Sequence, residues 1–344
     1  MNDRLATDTR ASRERRLFEI RREAQQAGRT SLQPDTRQTP SAGASPQNGY
    51  YGTPLLKRPQ WTVEVPLYFF VGGLAGAASL IAAVARLSSA DARLIRHSRW
   101  VAAIGGMVSP ALLISDLGLP SRFLNMLRVF KIQSPMSVGS WTLVAFSNSA
   151  AATAVLSEFE SRRSSRTIRV LTDGAQIMSA LTGMILSTYT GVLVGATAIP
   201  AWNEHVSALP IHFAASGTAS AAAILELSGN ESEALNRIAM AAAAVETAMG
   251  ASIELHSTPG TEALRSGLSG WAMRQAGLLS GPVPLVLRIL SLRGSAGKRN
   301  LRRAAAAASL AGSLLTRWAW VHAGKVSADD PSVPLQLGAS TSQE

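Results

Sequence analysis

Residues 116–141 read DLGLPSRFLNMLRVFKIQSPMSVGSW, and because this charged, turn-forming stretch lies between two long apolar runs, its reading decides how the rest of the chain divides. Asp116-Leu-Gly-Leu-Pro120 closes the run before it, since Gly tolerates positive φ and Pro fixes φ while removing a backbone donor. Pro120 opens a short helix in which Arg122, Asn125 and Arg128 recur along one edge, while Phe123, Met126, Leu127 and Phe130 make an apolar face. Such a segment belongs in the interface between membrane and water. Ser134-Pro135 begins the next helix, because Ser is a good N-cap and Pro suits the first helical position.

The composition around this stretch sets the class. Of 344 residues, 47% are hydrophobic and 16% charged, mean hydropathy is +0.14, and the apolar residues are gathered in long uninterrupted runs. That is an all-α integral membrane protein. A net charge of +11 would suggest a nucleic-acid partner in a soluble protein, but here the Arg residues sit in the N-terminal tail and at the ends of apolar runs. Membrane topology accounts for them, and no nucleic acid is expected. With no cysteine, the chain holds neither a disulfide nor a cysteine-ligated iron–sulfur cluster of its own, so any such cluster belongs to a partner. The five histidines, His97, His205, His212, His256 and His322, fall mostly at the ends of runs and give no facing mid-membrane pair for a haem iron.

Eight membrane spans are expected: residues 65–85, about 100–115, 135–157, 174 towards 199, 207–227, 238–254, about 267–290 and 303–321. They suit two four-helix bundles, with the short interfacial helix between helices 2 and 3. The seventh span is interrupted by Arg274, Gly281, Pro282 and Pro284. Residues 1–60 read as an Arg-rich, largely disordered tail with amphipathic character near residues 12–26, residues 61–325 as the membrane domain, and residues 326–344 as a polar tail. Arg15-Arg16 is followed by charges where an export signal needs an apolar run. Gly72, Gly73 and Gly76 with Ala77 put small residues on one face of the first span, which allows another helix to come close. Arginine is concentrated in the loops after spans one, three, five and seven, so the positive-inside rule puts both termini and the 116–141 loop outside the cytoplasm, against the pull of the Arg-rich tail.

The 116–141 stretch resembles the signature loop of the NrfD/PsrC family, the integral-membrane quinone-reactive subunits of polysulfide-reductase-type complexes. The resemblance extends to Trp61-Thr-Val-Glu64-Val-Pro-Leu-Tyr68-Phe-Phe-Val-Gly-Gly-Leu-Ala-Gly76, to Tyr189-Thr190-Gly191, to Pro200-Ala201-Trp202, and to Thr316-Arg317 with His322-Ala-Gly324. It implies a plasma-membrane anchor that binds menaquinone or ubiquinone and exchanges electrons with a ferredoxin-like iron–sulfur subunit, itself joined to a larger catalytic subunit of molybdopterin type. It also implies that Tyr189, on the fourth helix, meets the quinone headgroup. The start of the first span lacks a clear Asn/His pair and carries Glu64, a candidate substitute.

The candidate residues each have two readings. Glu64, between Trp61 and Tyr68, is either a proton acceptor at a lipid-soluble headgroup or an interfacial carboxylate in water. Asp116, Arg122 and Arg128, with Asn125 and Trp141 in the same stretch, either hold the loop by salt bridges or form a polar edge that docks the electron-exchanging subunit and lines the approach to the quinone. Glu204, His205, Arg317 and His322 all fall on the membrane side of that loop, and histidine is the side chain most ready to exchange a proton near neutral pH. Glu246, in the middle of the sixth span, must face protein or water, as a proton relay or as a packing hydrogen bond. Two other functions fit the same composition: a secondary transporter or proton-conducting subunit without quinone chemistry, and a purely structural anchor.

Overall fold

The computed structural model describes residues 56–163, 165–255, 258–293 and 297–330, which are helical and contain no strand. The amphipathic stretch near residues 12–26 and most of both tails lie outside the described residues. In chain order the helices are α1 (Glu64–Leu87), α2 (Ala92–Leu117), α3 (Pro120–Met126), α4 (Pro135–Arg162), α5 (Arg166–Gly195), α6 (Pro200–Asn203), α7 (Leu209–Leu227), α8 (Glu233–Leu255), α9 (Glu262–Arg265), α10 (Gly267–Ser280), α11 (Pro282–Arg293) and α12 (Lys298–Asp329). Among the described residues, five stretches are long and apolar enough to cross a membrane: α1, α2, α5, α8, and Gly267–Arg293, which comprises α10 and α11. The long helices α4, α7 and α12 fall outside that set, and the bundle buries polar groups that they carry, including Thr153, His212, Glu226, Arg302 and Arg317.

Small residues bring α1 into the centre. A Cβ on Gly183 of α5 would lie 2.8 Å from the Gly76 carbonyl of α1, and one on Gly217 of α7 would lie 2.8 Å from the Gly73 carbonyl. The backbones touch at both crossings, as the glycine stripe predicts. The first-half helices α2 and α5 pack directly on α1, with α4 against both of them, while α8 and α12 pack on α7, with α10 and α11 against α8 and α12.

Polar pairs zip both ends of this assembly. At one end Arg86 of α1 reaches Glu160 at 2.8 Å and Asp173 at 3.2 Å, and Arg96 of α2 reaches Glu158 at 2.7 Å. These partners explain why α2 and α5 begin well ahead of their apolar runs: the extra turns are polar, and their charges are paired across the bundle rather than left to a loop. At the other end Arg58 pairs with Asp329 at 3.3 Å and Lys325 donates to the Trp61 carbonyl at 2.6 Å, so α12 continues past its apolar run to meet the entry of α1. The fourth long helix ends at Gly195 and does not continue to Pro200, which opens the separate turn α6.

The seventh expected span is broken, as its prolines predict. Pro282 and Pro284 lack the donors a continuing ladder needs, and Gly281 presses on α8, where a Cβ would lie 2.8 Å from the Thr247 hydroxyl oxygen. The distal half is anchored by Arg288, fully buried, whose Nη1 donates to Glu226 at 2.8 Å and to Asn236 at 3.1 Å. Removing either charge of such a pair costs about 3–5 kcal/mol, because the other stays buried alone.

Candidate functional site

The 116–141 loop is ordered by the chemistry its sequence announces. Gly118 caps α2 with φ +73° and donates to the Ser115 carbonyl at 3.1 Å. Ser134 caps α4, accepting from the Ser137 N–H at 3.4 Å, and Pro135 takes the first helical position. Ser137 in turn accepts from the Lys131 N–H at 3.0 Å and donates to the Val129 carbonyl at 3.1 Å, which closes the segment between α3 and α4.

The charged residues of this loop do not pair with one another. Asp116 accepts from both the N–H (3.1 Å) and the hydroxyl (2.5 Å) of Thr62, tying the end of α2 to the chain two residues before Glu64. Arg122 donates instead to the Leu117 carbonyl at 2.8 Å and so caps α2. Each group finds a nearer partner than the other. Asn125 and Arg128 are exposed, and Trp141 stands partly exposed with its ring edge-on to Phe130 at 6.2 Å. Phe123 is buried and Met126 and Leu127 pack beside it, so most of the apolar face of α3 meets the bundle, while Phe130 stays exposed.

Glu64 is the first residue of α1 and half-buried. One turn further in, Tyr68 is buried, and a Cβ on Gly72 beyond it would lie 3.7 Å from the Tyr68 ring and 3.9 Å from Leu186 of α5. Tyr189 lies on α5 one turn from Leu186, so both phenols stand at the loop end of the bundle, Tyr68 on α1 and Tyr189 on α5. Tyr189 lies across Gly139 of α4, where any Cβ would overlap the phenol ring and its hydroxyl.

Around the entry of α1, the motifs at residues 61, 200–202 and 322–324 come together. Trp61 stacks on Trp202 at 5.0 Å and 14°, Trp202 donates through Nε1 to the Trp320 carbonyl at 2.7 Å, and Gly324 leaves the space that the Trp202 indole fills. His205 stands edge-on to Trp320 at 5.3 Å, with Nδ1 3.1 Å from the Ala201 carbonyl. Burial pushes its imidazole below the ordinary histidine value, while the Ala201 carbonyl and Glu204 pull the other way. Glu204 accepts a hydrogen bond from the Thr258 hydroxyl and packs across Gly260. His322 stacks on Trp318 at 4.9 Å.

Arg317 and Glu246 lie deeper than the end of the bundle, and a residue outside the predicted set joins them. His212 Nε2 lies 3.5 Å from Glu246, both side chains almost fully buried. Arg317, fully buried, donates through Nη2 to the Phe213 carbonyl at 2.8 Å and lies 3.8 Å above the Phe213 ring. The sequence did hold a signal for His212: it falls inside the fifth expected span, next to the span that carries Glu246. Beside this cluster is a cavity of about 430 Å³ between α8, α10 and α12, lined among others by His212, Thr247, Gly250, Met273, Gly277 and Thr316.

Helices of this length and apolarity, packed through glycine seams with histidine, carboxylate and guanidinium groups enclosed, define a multi-pass membrane protein. The family model for polysulphide reductase, NrfD, matches residues 56–328, and the chain belongs to that family. No curated protein matches the sequence.

Proposed function

We propose that this chain is the quinone-reactive membrane anchor of a multi-subunit oxidoreductase in the plasma membrane. It binds menaquinone or ubiquinone and exchanges electrons with a ferredoxin-like iron–sulfur subunit, which connects to a larger catalytic subunit of molybdopterin type. The observation that carries this reading is the family match over residues 56–328, whose members work with other oxidoreductase subunits. In this reading α1, α2, α4, α5, α7, α8, α10 with α11, and α12 make eight crossings in two four-helix bundles.

The loop end of α1, α4 and α5 fits a quinone headgroup in its chemistry. Its two buried phenols can each donate to a carbonyl or accept from a hydroxyl, and the half-buried Glu64 stands one turn towards the loop end. A bound quinol supplies two electrons and two protons. Glu64 takes a proton at its carboxylate, and Tyr189 holds the headgroup oxygen. Glu204, His205 and His322 line the same end as a route to water, with Glu246 and Arg317 deeper in the bundle. A second reading, proton conduction without quinone chemistry, draws on the helix break at Gly281 beside Glu246 and His212, since unwound backbone at membrane depth is typical of ion pathways.

Quinol-linked electron transfer in membranes containing the whole complex separates the two. Glu64→Gln keeps the size and removes proton uptake, so turnover falls about 10²–10⁴-fold if Glu64 is the general base. Tyr189→Phe weakens quinone binding by about 0.5–1.5 kcal/mol, the worth of one hydrogen bond. Normal turnover and affinity in both variants, with assembly intact, refutes this pocket.

A further inference from the structure

We infer that the cavity between α8, α10 and α12 is a second site for a lipid-soluble quinone, with the headgroup held at His212 and the tail leaving between α8 and α10. This inference rests on the reading of the chain as quinone-reactive, but the site is separate: its lining comes from α7, α8, α10, α11 and α12, and none from α1 to α5. Its volume of about 430 Å³ falls within the range of roughly 300–1,000 Å³ usual for small-molecule sites.

Three features of the cavity select this ligand class. The first is the inner end. His212 is 4% exposed, and neither ring nitrogen has a hydrogen-bond partner among the described residues, although Glu246 Oε2 lies 3.5 Å from Nε2. Buried polar atoms of this kind are ordinarily satisfied, so the imidazole lacks a partner that a ligand oxygen would supply. An imidazole donates to a carbonyl in one tautomer and accepts from a hydroxyl through its other nitrogen, and a headgroup that alternates between carbonyl and hydroxyl is a quinone.

The second feature is the wall. Gly250, Ala251, Ile253, Met273 and Leu278 make it mainly apolar, and apolar cavities stay dry, which favours a flat ring and an alkyl tail over a water chain. Gly277 widens it: an added Cβ there would meet no atom within 4 Å. The third feature is the mouth, which faces the bilayer. Leu278 in its lining and Trp271, two turns earlier on the same face of α10, are exposed, α8 and α10 both belong to membrane-spanning stretches, and the Glu254–Arg274 pair at 2.8 Å marks the rim.

The test is equilibrium binding to the purified complex in lipid nanodiscs, with two radiolabelled probes, a decyl-tailed benzoquinone and a short-tailed naphthoquinone. The expected stoichiometry for the better probe is two per copy of this chain. Gly277→Leu fills the cavity and reduces it to one. His212→Phe, a second variant that removes the ring nitrogens and keeps a ring of similar size, weakens the same binding class about tenfold. Tyr189→Phe affects only the other class. If Gly277→Leu and His212→Phe both leave stoichiometry and affinity unchanged while Tyr189→Phe weakens binding, the second site is refuted and the quinone-reactive reading stands. If neither probe binds the unaltered complex, both fall.

Discussion

Gly139 shows how a site in this protein depends on a missing side chain. Tyr189 occupies the volume that a Cβ on Gly139 would need, so the phenol is held between α4 and α5 in one orientation. Gly139→Ala therefore overpacks the seam and lowers stability by about 1–3 kcal/mol, and Tyr189→Leu in the same chain restores most of the loss by vacating the ring's space. Denaturation of the two variants in a fixed detergent checks this; equal stability of Gly139→Ala and the parent would mean that Tyr189 does not rest there. At this scale the sequence was readable wherever a residue acts on its own neighbourhood. Gly118 and the Ser134-Pro135 cap serve the roles their local pattern implies. Asp116 was not readable, since its partner Thr62 lies 54 residues away and nothing in the spacing announces a hydrogen bond over that distance. His212 was readable in part: its place inside the fifth expected span was legible, but its approach to Glu246 on the next helix was not.

At the scale of the element, hydropathy located the helices and missed their ends. Apolar runs mark where a helix can meet lipid, whereas α2, α5 and α12 continue into polar turns whose charges are satisfied across the bundle, by Arg96 with Glu158, Arg86 with Asp173 and Arg58 with Asp329. The break at Gly281 was legible, because two prolines remove backbone donors whatever surrounds them. The orientation argued from arginine counts belongs to this scale too. The cysteine-free chain makes it accessible: single cysteines at Ser89 and Ser161, both exposed at the arginine-rich end, should resist an impermeant thiol reagent in intact cells and react after permeabilisation. A cysteine at Ser121, in the opposite loop, should react in intact cells. The reverse pattern would invert the protein in the membrane and leave its fold unchanged.

For the whole molecule, the two halves divide the chemistry. The first half carries the loop, Glu64 and the buried phenols, and the second carries the His212–Glu246 pair, Arg317 and the cavity, with the halves joined where the glycines of α1 and α7 touch. The loop end presents Arg128 and Asn125 to the outside beside exposed Leu124, Phe130 and Ile132, a mixture of charge and apolar surface suited to a protein partner. The most direct measurement is affinity purification of the tagged chain from native membranes in mild detergent, with the co-purifying subunits identified. The account predicts a ferredoxin-like iron–sulfur subunit and a larger catalytic subunit in the eluate, and their loss when Arg122 and Arg128 are both changed to Glu while the chain remains in the membrane. Recovery of the unaltered chain with no redox subunit, or undiminished recovery of both partners with the doubly altered one, would contradict the anchor or its docking surface respectively.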